Sequence, residues 1–106
     1  MKTWPLIIDL QEGFFKDNVE VKINGESKFT AQNITSSLLA GPTKSFETEV
    51  KEGEATIDVS VPTRGMDDSI TLLVEHIIHI GISLVDTETL EKKVRFLTQD
   101  EPFGYL

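Results

Sequence analysis

Apolar and polar residues alternate with a period of two along most of the chain, the period of a strand with one covered face. The alternation is clearest in the middle. Phe46, Thr48 and Val50 share one face while Glu47 and Glu49 take the other, and Ala55, Ile57, Val59 and Val61 repeat the pattern over Thr56, Asp58 and Ser60. Between the two runs, Lys51-Glu52-Gly53-Glu54 has the length and the glycine of a hairpin loop. Pairing across it sets Val50 against Ala55, Thr48 against Ile57 and Phe46 against Val59, so each inward residue meets another. The pattern predicts a hairpin over residues 46–61.

A second hairpin is predicted from Val19, Val21 and Ile23, followed by Asn24-Gly25 and a strand towards Phe29. Asn and Gly both tolerate positive φ, the requirement of a two-residue turn. A strict turn would oppose Val21 to Lys28. One extra residue in a bulge restores Val21 to Phe29 and Val19 to Ala31, so the pattern predicts either a bulge near Gly25 or a second strand that leaves this sheet. Leu6, Ile8 and Leu10 form a first strand ended by Glu12-Gly13, and residues 94–98 form the last. Residues 31–44, with Ser36-Ser37 and Gly41-Pro42 around Leu38-Leu39, read as a crossing loop with at most one short strand. Residues 69–85 fit a strand through Ile70, Leu72, Val74, Ile78, Ile80 and Ile82, and their first half also fits a helix capped at Asp68 or Ser69 and closed by Gly81. The β-branched content favours strand. One strand over that stretch would run about 56 Å, too long for this domain, so it turns at Glu75-His76 or near Gly81 and makes two.

About seven short strands, separated by turns and without a repeat, resemble the immunoglobulin-like, fibronectin-like and transthyretin-like antiparallel β-sandwiches. The resemblance implies an all-β sandwich over residues 1–98 and an apolar tail over 99–106. The cysteine pair of antibody domains is missing, and the single tryptophan, Trp4, lies far from a central strand. Residues 21–61, through Ile23-Asn24-Gly25 and the glycine-turned hairpin, are similar to small extracytoplasmic sandwich repeats. Architecture alone implies no function.

Composition narrows the classes of function. A chain of 106 residues implies one domain. Its 18 acidic and 10 basic residues give a net charge of -8, a field that repels phosphate backbones, so nucleic acid is not an expected partner. With no cysteine there is no disulfide, thiolate site or cysteine nucleophile. Asp9 cuts the apolar run of the N-terminus before it reaches the length of a signal peptide's apolar region, and no stretch approaches the ~18–20 apolar residues of a membrane span. No membrane partner and no legible address are expected. Gly-x-Ser-x-Gly, phosphate-loop and dinucleotide motifs are all missing, which points away from catalysis and from any cofactor. His76 and His79 are the two histidines. On a helix they would share a face near Glu75 and could hold a metal ion, whereas on a strand they point to opposite faces.

Three groups of residues are candidate contact surfaces. The predicted hairpin places Glu47 opposite Asp58, with Glu49 beside them. Such like charges are destabilising unless Lys22, Lys28 or Arg95 of a neighbouring strand, a cation or a basic partner offsets them. In the tail, Pro102 stops the last strand and Phe103, Tyr105 and Leu106 follow, so these side chains either plug one end of the sandwich or dock on another protein. Trp4, Phe14 and Phe15 could cluster as a platform for a sugar or another small ligand. Asn33-Ile34-Thr35 matches a glycosylation sequon, and the carboxylates of Asp67-Asp68 and of Asp86 and Glu88 lack EF-hand spacing. The reading is a non-catalytic interaction or accessory module that binds a protein partner or a second copy of itself. The alternatives are a carbohydrate or small-ligand domain and a metal-dependent site at the two histidines.

Overall fold

A computed structural model describes residues 2–36, 42–89 and 91–105. Within them the chain forms β1 (Thr3–Leu10), β2 (Asp17–Ile23), β3 (Glu26–Ile34), β4 (Lys44–Lys51), β5 (Gly53–Val61), β6 (Met66–Val74), β7 (Ile78–Asp86) and β8 (Lys92–Gln99), with a single 3₁₀ turn at Pro62–Arg64. One sheet, here sheet A, has the order β4-β1-β7-β8. The other, sheet B, has the order β3-β2-β5-β6. All pairs are antiparallel except β1 with β7. The protein is an all-β sandwich of two four-stranded sheets, with one strand more than the sequence pattern predicts.

The alternation decides which residues fill the space between the sheets. Along the parallel pair, Leu6, Ile8 and Leu10 stand beside Ile78, Ile80 and Ile82. Val21 and Ile23 stand beside Val59 and Ile57 in sheet B. All of these are buried, and Phe14 and Ile34 join them from the connections and strand ends. Along one side of the sandwich, Phe29 of edge strand β3 stacks on Phe46 of edge strand β4, with ring centroids 4.6 Å apart.

The predicted hairpin over 46–61 does not form. β4 pairs with β1 over its whole length, from Thr3 opposite Lys51 to Leu10 opposite Lys44, while β5 pairs with β2 and β6. At Glu52 the chain crosses from one sheet to the other. The two inward faces therefore meet across the core instead of lying side by side, and period two is satisfied equally well by either arrangement. The outward charges explain the choice. A hairpin would oppose Glu47 to Asp58, whereas here Glu47 stands beside Ile7, and Asp58 lies between Lys22 and Ser69.

The β2–β3 hairpin has the expected pairing, Val19 with Ala31 and Val21 with Phe29. Its turn is a strict two-residue one, Asn24 and Gly25 both at positive φ, and the extra residue is Lys28 on β3. Residues 69–85 belong to two strands in different sheets, broken at residues 75–77, so the helical alternative is overturned. Gly81 lies mid-strand and turns nothing. Leu38, Leu39 and Gly41 lie outside the described residues.

Candidate functional site

β1 is the strand that carries the site. It lies between β4 and β7, and the outward positions of its second half are Ile7 and Asp9. Across sheet A, the first makes the row Glu47–Ile7–His79–Gln99 and the second the row Ser45–Asp9–Gly81–Leu97. An outward carboxylate is normally solvated. Asp9 is only 8% exposed.

Two hydroxyls and one strap of chain cover it. Ser45 Oγ donates to Asp9 Oδ1 at 2.7 Å, and Tyr105 Oη donates to Asp9 Oδ2 at 2.6 Å. Gln11, the residue just beyond the end of β1, donates from Nε2 to the same Tyr105 oxygen at 3.3 Å. Its amide lies over Gly81, where a Cβ would come within 2.5 Å of Gln11 Oε1, so the glycine supplies the floor on which Gln11 rests. Ser83 Oγ closes the group, accepting from the backbone N–H of Glu12 at 3.2 Å. The phenol of Tyr105 is pushed up from its ordinary value near 10 to about 12, first by burial, then by its bond to the Asp9 carboxylate and that charge, with Gln11 acting in the opposite direction.

The tail reaches this seat by folding back. β8 ends at Gln99, one residue inside the predicted tail. Gln99 Nε2 donates to the carbonyls of Glu101 and Pro102, and Asp100 Oδ1 lies 2.7 Å from His76 Nε2. Among the described residues, no backbone–backbone hydrogen bond joins residues 100–105 to the sheet. Phe103 is half-buried but stands outside the buried core cluster. The tail thus lies over the outer face of sheet A, held by side chains, with Tyr105 as its far anchor.

The other predicted residues are dispersed. Glu47 and Glu49 face outward on β4, where Glu49 accepts from Thr3 Oγ1 at 3.3 Å, while Asp58 belongs to the other sheet. Phe14 is buried in the core, Phe15 is 61% exposed, and Trp4 lies at the far end of β1, where its Nε1 donates to Glu52 at 2.9 Å, so no aromatic platform forms from the three. His76 sits in the bend between β6 and β7, and His79 faces outward on β7. Among the described residues no three metal-ligating side chains stand together. Leu106 lies outside the described residues.

Two features had no forecast. Asp17, 2% exposed, accepts from Phe15 N–H at 2.8 Å, from Thr63 Oγ1 at 2.9 Å and from Arg64 Nε on both oxygens, at 3.0 and 3.1 Å. It clamps the β1–β2 connection to the 3₁₀ turn between β5 and β6. On the outer face of sheet B, Glu20, Lys22, Asp58, Ser60 and Asp67 line a shallow depression. Its charges are partly matched, with Ser27 Oγ donating to Glu20 at 2.8 Å and Lys22 Nζ 4.0 Å from the same carboxylate.

No family model matches this chain, and no curated protein matches it. The chemistry of the outer face of sheet A is the remaining guide to function. Among the described residues no helix is long and apolar enough to cross a membrane.

Proposed function

We propose that this chain is a non-catalytic protein-interaction module, and that the tail and the outer face of sheet A form its contact surface. The observation that carries the reading is the way the tail is held. A segment with a half-buried phenylalanine and a tyrosine lies on a sheet face through side-chain bonds alone, so it can lift without breaking a ladder of backbone bonds. Lifting frees Phe103 and Tyr105 for a partner or a second copy, and it uncovers the row Ser45–Asp9–Gly81–Leu97. Glu47 and Glu49 on β4 flank that face and give it an acidic border. The immunoglobulin arrangement puts the first, second, fifth and fourth strands in one sheet. The order here, with β1 between β4 and β7, supports the transthyretin-like member of the three sandwich types instead.

If the face receives a segment, it should accept one in trans. A synthetic peptide of residues 100–106 is expected to bind the full-length chain carrying Tyr105→Ala, because that chain has lost its own anchor. Wild type, whose tail competes from within, should bind the peptide at least about tenfold more weakly. Isothermal titration of both proteins measures the difference. Equal affinity, or no binding to the variant, would contradict the reading.

A further inference from the structure

Two buried carboxylates among the described residues differ in one respect. Asp17 has its cation, since Arg64 donates to both of its oxygens. Asp9 is almost as deeply covered, yet among the described residues no lysine, arginine or histidine pairs with it. Each Asp9 oxygen accepts from one neutral hydroxyl, Ser45 on one side and Tyr105 on the other. Both oxygens are acceptors, and a carboxylate offers about four lone-pair sites, so Asp9 has acceptor capacity to spare. A buried carboxylate matched only by neutral donors is a poor bargain in solvation terms, and a charge-assisted bond from a cation is about twice as strong as a neutral one.

Three further observations bear on what fills the seat. Ser45 belongs to the sheet, whereas Tyr105 belongs to a strap with no backbone bond to it, so the Oδ2 side is the side that can be vacated. Glu47, on the same strand as Ser45 and facing the same way, borders the seat, and the whole chain carries a net charge of -8. Gly81 lies beside Asp9 with the Gln11 amide packed directly over it, so that amide, which already donates to Tyr105, is the group that must swing aside for a side chain larger than a hydroxyl. The complement to this set is a planar cation on a long, slender stem.

We infer that Asp9 is a receptor carboxylate for an arginine side chain of a partner protein, and that Tyr105 is its placeholder while the partner is absent. The guanidinium donates to Asp9 Oδ2 as the phenol leaves, and the Gln11 amide turns from Tyr105 to the incoming group. Displacement of the tail and binding of the partner are then one event, which gives a soluble reader of basic segments a built-in cover. The inference rests on the interaction-module reading and narrows it to one partner chemistry.

The test uses the full-length chain and a blocked Gly-Arg-Gly tripeptide, with the blocked Gly-citrulline-Gly tripeptide as the uncharged match. Amide resonances of Ser45, Gln11 and Gly81 report the seat in NMR titrations. The arginine peptide should move these resonances saturably in wild type, and the citrulline peptide should not. Tyr105→Phe, which keeps the ring and removes the competing hydroxyl, should tighten the arginine peptide about tenfold. Asp9→Asn should abolish the response. Equal shifts from the arginine and citrulline peptides, or no seat shifts in either wild type or Tyr105→Phe, would overturn the inference, and neither result depends on the Asp9 variant folding. If the arginine peptide fails while the 100–106 peptide binds Tyr105→Ala, the interaction module stands and only the arginine assignment falls.

Discussion

Asp17→Ala should lower the stability of this protein by about 3 kcal/mol, the lower end of what breaking a buried charge pair removes. For a domain of this size that is a fall in Tm of roughly 12–24 °C. The substitution orphans several donors together: the Phe15 N–H, the Thr63 hydroxyl and the Nε–H of Arg64. Arg64 lies near the surface and can turn towards water, which is why the lower end applies. The Phe15 N–H loses its acceptor as well, and the connection it belongs to positions Phe14 in the core. Thr63→Val removes a single bond of the clamp and should cost only about 1 kcal/mol. Thermal melts of the two variants separate a clamp from a surface ion pair. A Tm for Asp17→Ala within about 4 °C of wild type would mean that the carboxylate contributes less than about 1 kcal/mol.

Gly13→Ala is expected to be at least as damaging. Gly13 stands in the β1–β2 connection at a φ of +90°, and a Cβ there would run into the backbone carbonyl of Leu84 on β7. That contact is with a strand, so neither side can give way cheaply. Relief requires residues 12–14 to lift, which breaks the bond from Leu84 N–H to the Glu12 carbonyl and draws Phe14 outward. Positive φ alone costs a residue with a Cβ about 1–2 kcal/mol. With the close approach added, the loss should exceed about 4 kcal/mol, a rare size for one substitution. Gly25→Ala is the natural comparison, since it has a φ of +83° and open space around it. It should show the backbone term of about 1–2 kcal/mol and nothing more. Denaturant melts of both variants give the two terms by difference, and equal losses would show that contact with Leu84 is unimportant.

The strands were legible in the sequence because alternation is a local signal. Leu6, Ile8 and Leu10 announce β1, and the pairing of Val21 with Phe29 follows from keeping apolar residues on one face. Which sheet a strand joins is a different question. Inward residues of β4 and β5 satisfy the same rule whether they lie side by side or face one another across the core, so alternation predicts a hairpin where the chain crosses between sheets. The repulsion between Glu47 and Asp58 was a readable warning against it. At the site, Tyr105 and Phe103 drew notice as apolar residues in a terminal segment, but the seat did not. Asp9 looked like an interruption of an apolar run. Yet Ile7 and Ile8 on opposite faces mark a strand covered on both sides, and a lone carboxylate within such a strand calls for a cover and a donor. The clamp at Asp17 was not legible, because its Thr63 and Arg64 partners lie 46 and 47 positions away.

The interaction surface depends on the tail being seated in solution. Tyr105 reports this directly, because it is the only tyrosine in the chain. Its phenol holds its proton more tightly when seated on Asp9 than when free. Seating is therefore fully favoured below pH 10 and is lost as pH rises through about 12. The decisive measurement is the ultraviolet absorbance of tyrosinate followed to high pH, with circular dichroism recorded alongside to show that the sheets persist. A midpoint near 12 is the predicted result. A midpoint near the ordinary value of 10 in the folded protein would place Tyr105 in open water and contradict the seat on which the proposed interaction surface is built.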